Sequence, residues 1–249
     1  MKDKIKHYIF IFIISIIVCI PLFIKNFNIY ADDGIQHICR LMGTFQSINE
    51  GQHFSVIMSS FCNNFGYSWN IFYSPITAYI PLLLRLFTNS YILILKIFML
   101  IVTFFTGVTM YEFIKRVTKN HYAGLIGAVI YILAPYRLTD MYMRIAIAEL
   151  TSFIFLPMIF HGVYNIFDEE TKNKKIEPTL IIGASGLILT HTVIAMYTAI
   201  FSAIYVLVHI KNLKNKSILK KLLLTLLLII CITSFYIVPM LEHKLDTQY

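Results

Sequence analysis

Apolar runs long enough to cross a lipid bilayer recur along this chain, and no other feature constrains its fold as strongly. A helix needs about 20 predominantly apolar residues to cross a hydrocarbon core of ~30 Å. Hydrophobic residues make up 58% of the 249 residues and charged residues only 14%, whereas a soluble domain has about 25% charged residues. The sequence therefore predicts an integral membrane protein.

Basic residues fall in short clusters between the apolar runs, and these clusters set the predicted orientation. Lys and Arg are enriched in cytoplasmic loops, so the clusters at 2–6, 115–119, 172–175 and 211–221 are assigned to the cytoplasm. The formal charge of +8 is thereby explained without a nucleic-acid partner.

Between successive clusters the chain must leave the cytoplasm and return. We therefore predict an all-α, multi-pass protein of the cell membrane, one module over residues 1–249, whose N-terminus is cytoplasmic and begins an uncleaved signal anchor. Its seven transmembrane helices are predicted at 8–24, 90–113, 121–136, 149–167, 178–192, 194–210 and 220–238.

The predicted first external loop, residues 25–89, is long and contains an interrupted apolar stretch. Pro75, Pro81 and Arg85 break the stretch at 72–88, and a full crossing there would move the 115–119 cluster outside. We expect an interfacial or re-entrant helix packed against protein. Farther along, Thr190–Thr192 leaves almost no loop between two spans and predicts a tight external hairpin.

Two adjacent carboxylates, Asp32 and Asp33, follow the first apolar run. If one of them caps a helix that begins near Gly34, then Asp33 and His37 share a helix face, which Arg40 extends. A carboxylate there can act as a general base or hold a cation, while His37 and Arg40 meet an anionic group. The alternative is that the two Asp residues only cap the helix, and for Asp32 both interpretations stay open.

A second polar group follows the third predicted span, where Arg137, Asp140 and Arg144 have helical spacing. Two arginines on one stripe suit a lipid phosphate, because guanidinium binds phosphate bidentately, although a salt-bridged face without a ligand fits the spacing equally well. Glu149 is either a favourable charge at a helix start or part of the site, and His191 is either structural or a site residue. The topology places all of these on the external face with the acidic pair, where ionisable residues are candidate functional groups.

The stretch 65–73 is rich in aromatic residues and contains the only tryptophan. An interfacial belt is the favoured interpretation, and stacking on a sugar ring is the alternative. The four cysteines have no CxxC spacing and predict no zinc or redox motif. Cys39 and Cys62 share the first external loop and could pair, but we expect them to act as small apolar residues.

Three sequence elements resemble those of a known family. They are Asp32-Asp33-xxx-His37…Arg40, a GYxxxxFY element at 66–73, and a PYRxxDxYxR element at 135–144 followed by Glu149. They are similar to elements of large bacterial membrane proteins of the glycosyltransferase C superfamily, some of which are labelled 6-pyruvoyl-tetrahydropterin synthase-related. No histidine triad that could bind the zinc of such a synthase is present in the sequence. Family members usually continue with further spans, so this chain is expected to be an N-terminal part of a longer protein.

The resemblance implies transfer of a sugar from a polyprenyl-phosphate donor to an external glycan or polymer acceptor, at a site exposed to membrane lipids. Asp33, or Asp32, would deprotonate the acceptor hydroxyl. The residues expected to bind substrate are His37, Arg40, Arg137, Asp140, Arg144, Glu149 and His191. No cofactor is assigned with certainty, and a divalent cation at Asp32 and Asp33 stays open. The alternatives are a lipid or anion transporter or flippase, and a non-catalytic membrane protein.

Overall fold

The computed structural model describes residues 2–24, 29–52, 54, 57–171 and 174–246, without the side chains of Lys2, Asp3 and Asp246. Some predicted positions lie outside the described residues, namely residues 1 and 247–249 of the module, 172 and 173 of the third basic cluster, and 25–28, 53, 55 and 56 of the external loop.

The described residues form an all-helical protein without a β-strand, which confirms the predicted fold class at this level. The helices are α1 (Lys2–Cys19), α2 (Gly34–Asn49), α3 (Trp69–Phe72), α4 (Ile76–Leu82), α5 (Tyr91–Thr118), α6 (His121–Ile132), α7 (Pro135–Thr139), α8 (Ile147–Phe167), α9 (Pro178–Ile188), α10 (Thr192–Val208) and α11 (Lys216–Asp246). A π-helical turn, Asp140–Arg144, follows α7, and 3-10 turns lie at Ile20–Phe23, Leu83–Leu86, Glu169–Thr171 and Ile210–Lys214.

Within the described residues, four helical segments are long and apolar enough to cross a membrane: Lys4–Phe23, α5, α8 and Lys216–Leu245. The pair His121–Ile132 and Pro135–Arg144, bent by 44°, is a candidate fifth span. A membrane protein with several spanning helices is therefore confirmed, but the predicted count of seven is not. The difference lies in α9 and α10, which have 11 and 17 residues. At 1.5 Å per residue, α9 is only about 16 Å long.

Helix α5 lies at the centre of the packing, against α1, α6 and α8. Its buried face, which includes Ile94, Phe98 and Val102, forms the largest apolar core. A second core lies where α9 packs against α8 and α11. The helices α8 and α9 approach closely at Gly162, where a Cβ atom would lie 2.5 Å from the backbone nitrogen of Leu180.

Four connections between helices join in two pairs and position the candidate site. The backbone N–H of Asp33, just before α2, donates to the carbonyl of Arg144 at 3.0 Å. The N–H of Ile76 and the hydroxyl of Ser74, at the start of α4, both donate to the carbonyl of Leu189. Leu189 belongs to the short turn between α9 and α10, so the predicted tight hairpin is present. The segment predicted as an interfacial helix at 72–88 contains the apolar helix Ile76–Leu86, which is shorter than the candidate spans.

Candidate functional site

The connection from α7 to α8 has an unusual backbone. The π-helical turn Asp140–Arg144 ends at Ile145, whose φ of 53° places it in the left-handed region. Ile145 is β-branched and fully buried, so this conformation carries strain that the surrounding structure must stabilise. The N–H of Ala146 donates to the carbonyl of Asp140 at 3.0 Å and closes the turn. π-Helical turns of this kind are frequent at functional sites.

Arg144 is at the centre of a charged network that this turn presents. Its guanidinium donates to Asp140 Oδ1 at 2.9 Å and to Glu149 Oε2 and Oε1 at 2.9 and 3.0 Å. The Tyr136 hydroxyl donates to Glu149 and accepts from Arg144 at 3.3 Å. One third of the Arg144 side chain is exposed (33%), whereas that of Asp140 is fully buried. Arg144 is therefore a cation that is held in place and remains accessible at the protein surface.

Asp33 adjoins this network. It occupies the N-cap position of α2, as the predicted helix start at Gly34 required, but its side chain makes no capping hydrogen bond with the described residues. Burial raises the pKa of the Asp33 carboxyl, Asp32 and Glu149 raise it further, and Arg144 opposes the change. Asp32 itself is exposed, with a φ of 46°. Of the two carboxylates, Asp33 is the one in electrostatic contact with Arg144.

His37, predicted to bind substrate, is buried at 6% exposure and contacts the start of α8. Its Nε2 accepts a hydrogen bond from the backbone N–H of Ile147 at 3.4 Å. Burial lowers the pKa of His37 to about 3, and the nearby Arg40 contributes in the same direction. His37 is thus a neutral imidazole that joins α2 to α8.

Arg40 lies on the same face of α2 and is 1% exposed. Its guanidinium donates at 3.0 Å to Asn70 Oδ1, Thr77 Oγ1 and the Tyr73 carbonyl, and also to the Ser74 carbonyl. It also lies over the Tyr73 ring, 4.5 Å from the centroid. These contacts hold α2 against the segment 70–77. The N–H groups of Arg40 that were expected to bind an anion donate to the protein instead.

Arg137 also lies inside the protein, with no exposed surface. Its guanidinium donates to the Ile132 carbonyl at 3.0 Å and to Thr103 Oγ1 at 2.7 Å. The two arginines expected to share a phosphate therefore differ in position, because only Arg144 reaches the surface. His191 accepts a hydrogen bond from the N–H of Ile194 at 3.3 Å and caps α10, while its Nε2 is 4.0 Å from Glu149 Oε1.

Two tyrosines belong to the site although neither was among the predicted site residues, and Tyr73 was predicted only as part of the aromatic stretch 65–73. Tyr136 joins Arg144 and Glu149, as described above, and Tyr73 contacts both Arg40 and His37, with 6.0 Å between the ring centroids of His37 and Tyr73. Tyr73 is part of the GYxxxxFY element, and Tyr136 is part of the PYRxxDxYxR element. Their position within those elements, next to the charged residues, was the available sequence signal.

The described residues contain no group of three or more His, Cys, Asp or Glu side chains placed to hold a metal ion. The four cysteines all lie in the described ranges and are free, so Cys39 and Cys62 do not pair. Cys19 donates to Thr103 Oγ1 at 3.5 Å within the core.

Comparison with known proteins gives a family for the chain. Residues 71–248 match the model of a family described as "6-pyruvoyl-tetrahydropterin synthase related domain; membrane protein". A protein of Lactococcus lactis subsp. cremoris that carries the name "Uncharacterized protein" is 25% identical over 250 residues, which is 97% of this chain and 40% of the relative. The chain thus spans less than half the length of that relative. No solved structure matches.

The family match covers more than two thirds of the chain, including Tyr73, Arg144, Glu149 and His191, while Asp33 and α2 precede it. The chain therefore belongs to the 6-pyruvoyl-tetrahydropterin synthase-related family of membrane proteins.

Proposed function

We propose that this membrane protein is a glycosyltransferase that moves a sugar from a polyprenyl-phosphate donor to an acceptor on the external face. The observation that carries the proposal is the junction between Asp33 and Arg144. A half-buried carboxylate with a raised pKa is held beside a partly exposed arginine by the hydrogen bond between their backbones. Base and cation are the two groups that such a transfer needs.

In the proposed reaction, the acceptor hydroxyl oxygen attacks the anomeric carbon of the donor sugar. Its proton passes to the Asp33 carboxylate, and the bond between the anomeric carbon and the phosphate oxygen breaks. A base with a pKa raised toward neutral pH is well matched to this proton transfer. The charge that develops on the departing lipid phosphate is stabilised by Arg144, since guanidinium is well suited to a phosphate group.

Glu149 and Asp140 fix the guanidinium of Arg144 but also reduce its net charge. Their hydrogen bonds use Nη1 and Nη2, and the Nε–H makes no hydrogen bond with the described residues. The Nε edge is thus the side from which a phosphate oxygen is expected to approach. In this scheme, Arg40, Arg137 and His37 maintain the geometry of the site and do not contact the substrate.

The test is a transfer assay in proteoliposomes with lipid-phosphate sugars and the full natural protein. We expect Asp33→Asn to reduce transfer by about 100-fold or more, the usual contribution of a general base. Asp32→Asn is the matched control and is expected to retain most of the activity. Full transfer by the Asp32→Asn, Asp33→Asn double variant would eliminate the proposed base.

A lipid transporter is the second candidate, and one observation favours it. A cavity of about 500 Å³ lies between α8, α9, α10 and α11 and has an apolar lining that includes Leu180, Ala199 and Leu226. Such a cavity fits a lipid chain. Substrate flux in proteoliposomes without a covalent product would support this candidate over the transferase.

A further inference from the structure

An aromatic pocket adjoins the charged network, and the reaction described above assigns no role to it. It has a volume of about 270 Å³ and is lined by Tyr67, Ser68, Trp69, Phe72 and Tyr73. The Tyr67 and Trp69 rings meet edge to face, with centroids 5.6 Å apart and an interplanar angle of 83°. Pockets for drug-sized ligands are typically ~300–1,000 Å³, so this one suits a single small ring.

A structured loop holds these rings in place. Met58 and Tyr67 exchange backbone hydrogen bonds of 2.9 and 3.2 Å. The turn between them places three consecutive residues, Cys62–Asn64, at positive φ, and Gly66 has a φ of 85°. A side chain at Gly66 would meet Ile57, because a Cβ atom would lie 2.7 Å from its Cγ2.

The same loop also brings Phe61 against Trp69, with ring centroids 5.9 Å apart at 89°. Trp69 is therefore held by contacts with both Phe61 and Tyr67 before any ligand binds. An aromatic side chain that only marks the membrane interface needs no such support. A ligand pocket benefits from it, because pre-organised rings lose little entropy on binding.

Tyr73 joins this pocket to the charged network. Its ring carries the Arg40 guanidinium on one side. Burial raises the pKa of the Tyr73 phenol, and the charges that act on it include Asp33, Glu149 and Arg144. A ligand that contacts Tyr73 therefore shares that ring with Arg40 and lies within the electrostatic reach of Asp33 and Arg144.

We infer that this aromatic pocket binds one pyranose ring of the carbohydrate acceptor. Because the Tyr67 and Trp69 rings are nearly perpendicular, the face of one of them provides the flat apolar surface that the C–H face of a sugar ring requires, and the other borders it. The hydroxyls of Ser68 and Tyr73 provide hydrogen bonds for the edge of the sugar. The inference rests on the proposed function, because the acceptor hydroxyl must end near Asp33. The inference adds to the proposed function the class of acceptor, a carbohydrate, and the pocket that binds it.

Trp69 is the only tryptophan in the chain, so its fluorescence reports directly on the pocket. The experiment titrates the protein in nanodiscs with methyl glycosides of glucose, galactose and N-acetylglucosamine and with their trisaccharides. Sorbitol, which has no ring, is the control ligand. We expect a saturable change in Trp69 emission with at least one of the sugars and none with sorbitol.

Two substitutions in the same loop form a matched pair. Tyr67→Ala removes a lining ring and is expected to weaken sugar binding by about three- to tenfold. Phe65→Ala removes a ring that is 91% exposed and does not line the pocket, and it is expected to leave binding unchanged. Equal losses in the two variants would contradict the inference.

The opposing result is an interfacial belt. If no sugar in the panel changes the emission, while lipids brominated in their acyl chains quench Trp69 strongly, the inference is overturned. Transfer measured in parallel separates the two proposals. Sugar binding without transfer leaves the pocket standing and refutes the transferase, whereas transfer with a normal acceptor KM in Tyr67→Ala refutes the pocket alone.

Discussion

Replacing Arg40 by lysine tests whether this arginine is a framework residue or a ligand for anions. The three nitrogens of the guanidinium donate to four acceptors: Asn70 Oδ1, Thr77 Oγ1, and the carbonyls of Tyr73 and Ser74. A lysine ammonium keeps the charge, but it is a single point that can meet about two of these acceptors.

The expected loss of stability follows from the acceptors left behind. A buried polar group without a partner costs roughly 1–3 kcal/mol, and stacking of the cation on the Tyr73 ring adds about 0.5–2 kcal/mol. Two lost acceptors alone give a destabilisation of about 2–6 kcal/mol, and weaker stacking adds to it. At roughly 2–4 °C for each kcal/mol in a chain of this size, the lost acceptors alone should lower Tm by about 4–24 °C.

The assay is thermal unfolding in detergent, followed by Trp69 fluorescence, with Arg144→Lys as the control. Arg144 is one third exposed, and a lysine there keeps a positive charge beside Asp140 and Glu149 while water can reach the lost hydrogen-bonding positions, so the control should lower Tm less than Arg40→Lys. A Tm of Arg40→Lys within about 2 °C of the wild type would refute the framework role. Arg40 would then again be a candidate for anion binding.

Three further predictions concern stability. Gly34→Ala should prevent α2 from docking, because a Cβ atom would lie 1.8 Å from the Ile29 carbonyl oxygen; a Tm drop of several degrees or loss of folded protein on size exclusion is expected, and a normal Tm would contradict the packing. The wild type should lose stability relative to His37→Gln as pH falls from 6.5 toward about 4, because the folded-state pKa of His37 is about 3 against an ordinary 6.5 and the unfolded state therefore takes up the proton first. The difference in unfolding free energy changes by at most about 1.4 kcal/mol per pH unit. The same difference between wild type and His37→Gln at both pH values, measured by chemical denaturation, would contradict the prediction. Lys119→Gly should stabilise the protein by about 0.5–1 kcal/mol, since Lys119 is exposed and ends α5 with a φ of 57°; chemical denaturation measures this, and a lower midpoint would show that its ion pair with Glu170 outweighs the strain.

The helices and the hairpin at His191 could be predicted because hydropathy, proline and loop length are local signals. The span count could not, because apolar composition does not show where a helix ends. Helix α9 begins at Pro178, after the buried Glu177, and ends by Ile188. That leaves it too short to meet the length of a spanning helix.

Part of the candidate site was also accessible from sequence. The topology predicted from the basic clusters placed Asp33, Arg144, Glu149 and His191 on one side of the protein, and these residues do lie together in the structure. Which of the predicted site residues would be buried could not be predicted from the sequence. Arg137 and Arg144 are seven residues apart and would share a face of a regular α-helix, but the wider π-helical turn at Asp140–Arg144 shifts the register between them. One arginine consequently turns inward and the other outward.

Arg40 shows the other limit of sequence analysis. Its partners Asn70 and Thr77 are 30 and 37 residues away along the chain. No local pattern on α2 distinguishes an arginine that will be buried by such partners from one that faces solvent. Only the packing of the first loop decides its role.

The contacts between the first loop and the later helices set an order for biosynthesis. His37 meets its partner Ile147 across 110 residues, and Ser74 meets Leu189 across 115. At roughly 5–20 residues per second, the ribosome needs about 5–25 s to add those residues. During that interval Arg40 can already join α2 to the segment 70–77, because its partners are at most 37 residues away, but His37 still lacks the start of α8. Asp33 must wait for Arg144 before it reaches its place, and a nascent chain arrested before Leu189 carries α8 and Glu149 but not the carbonyl that accepts from Ser74 and Ile76.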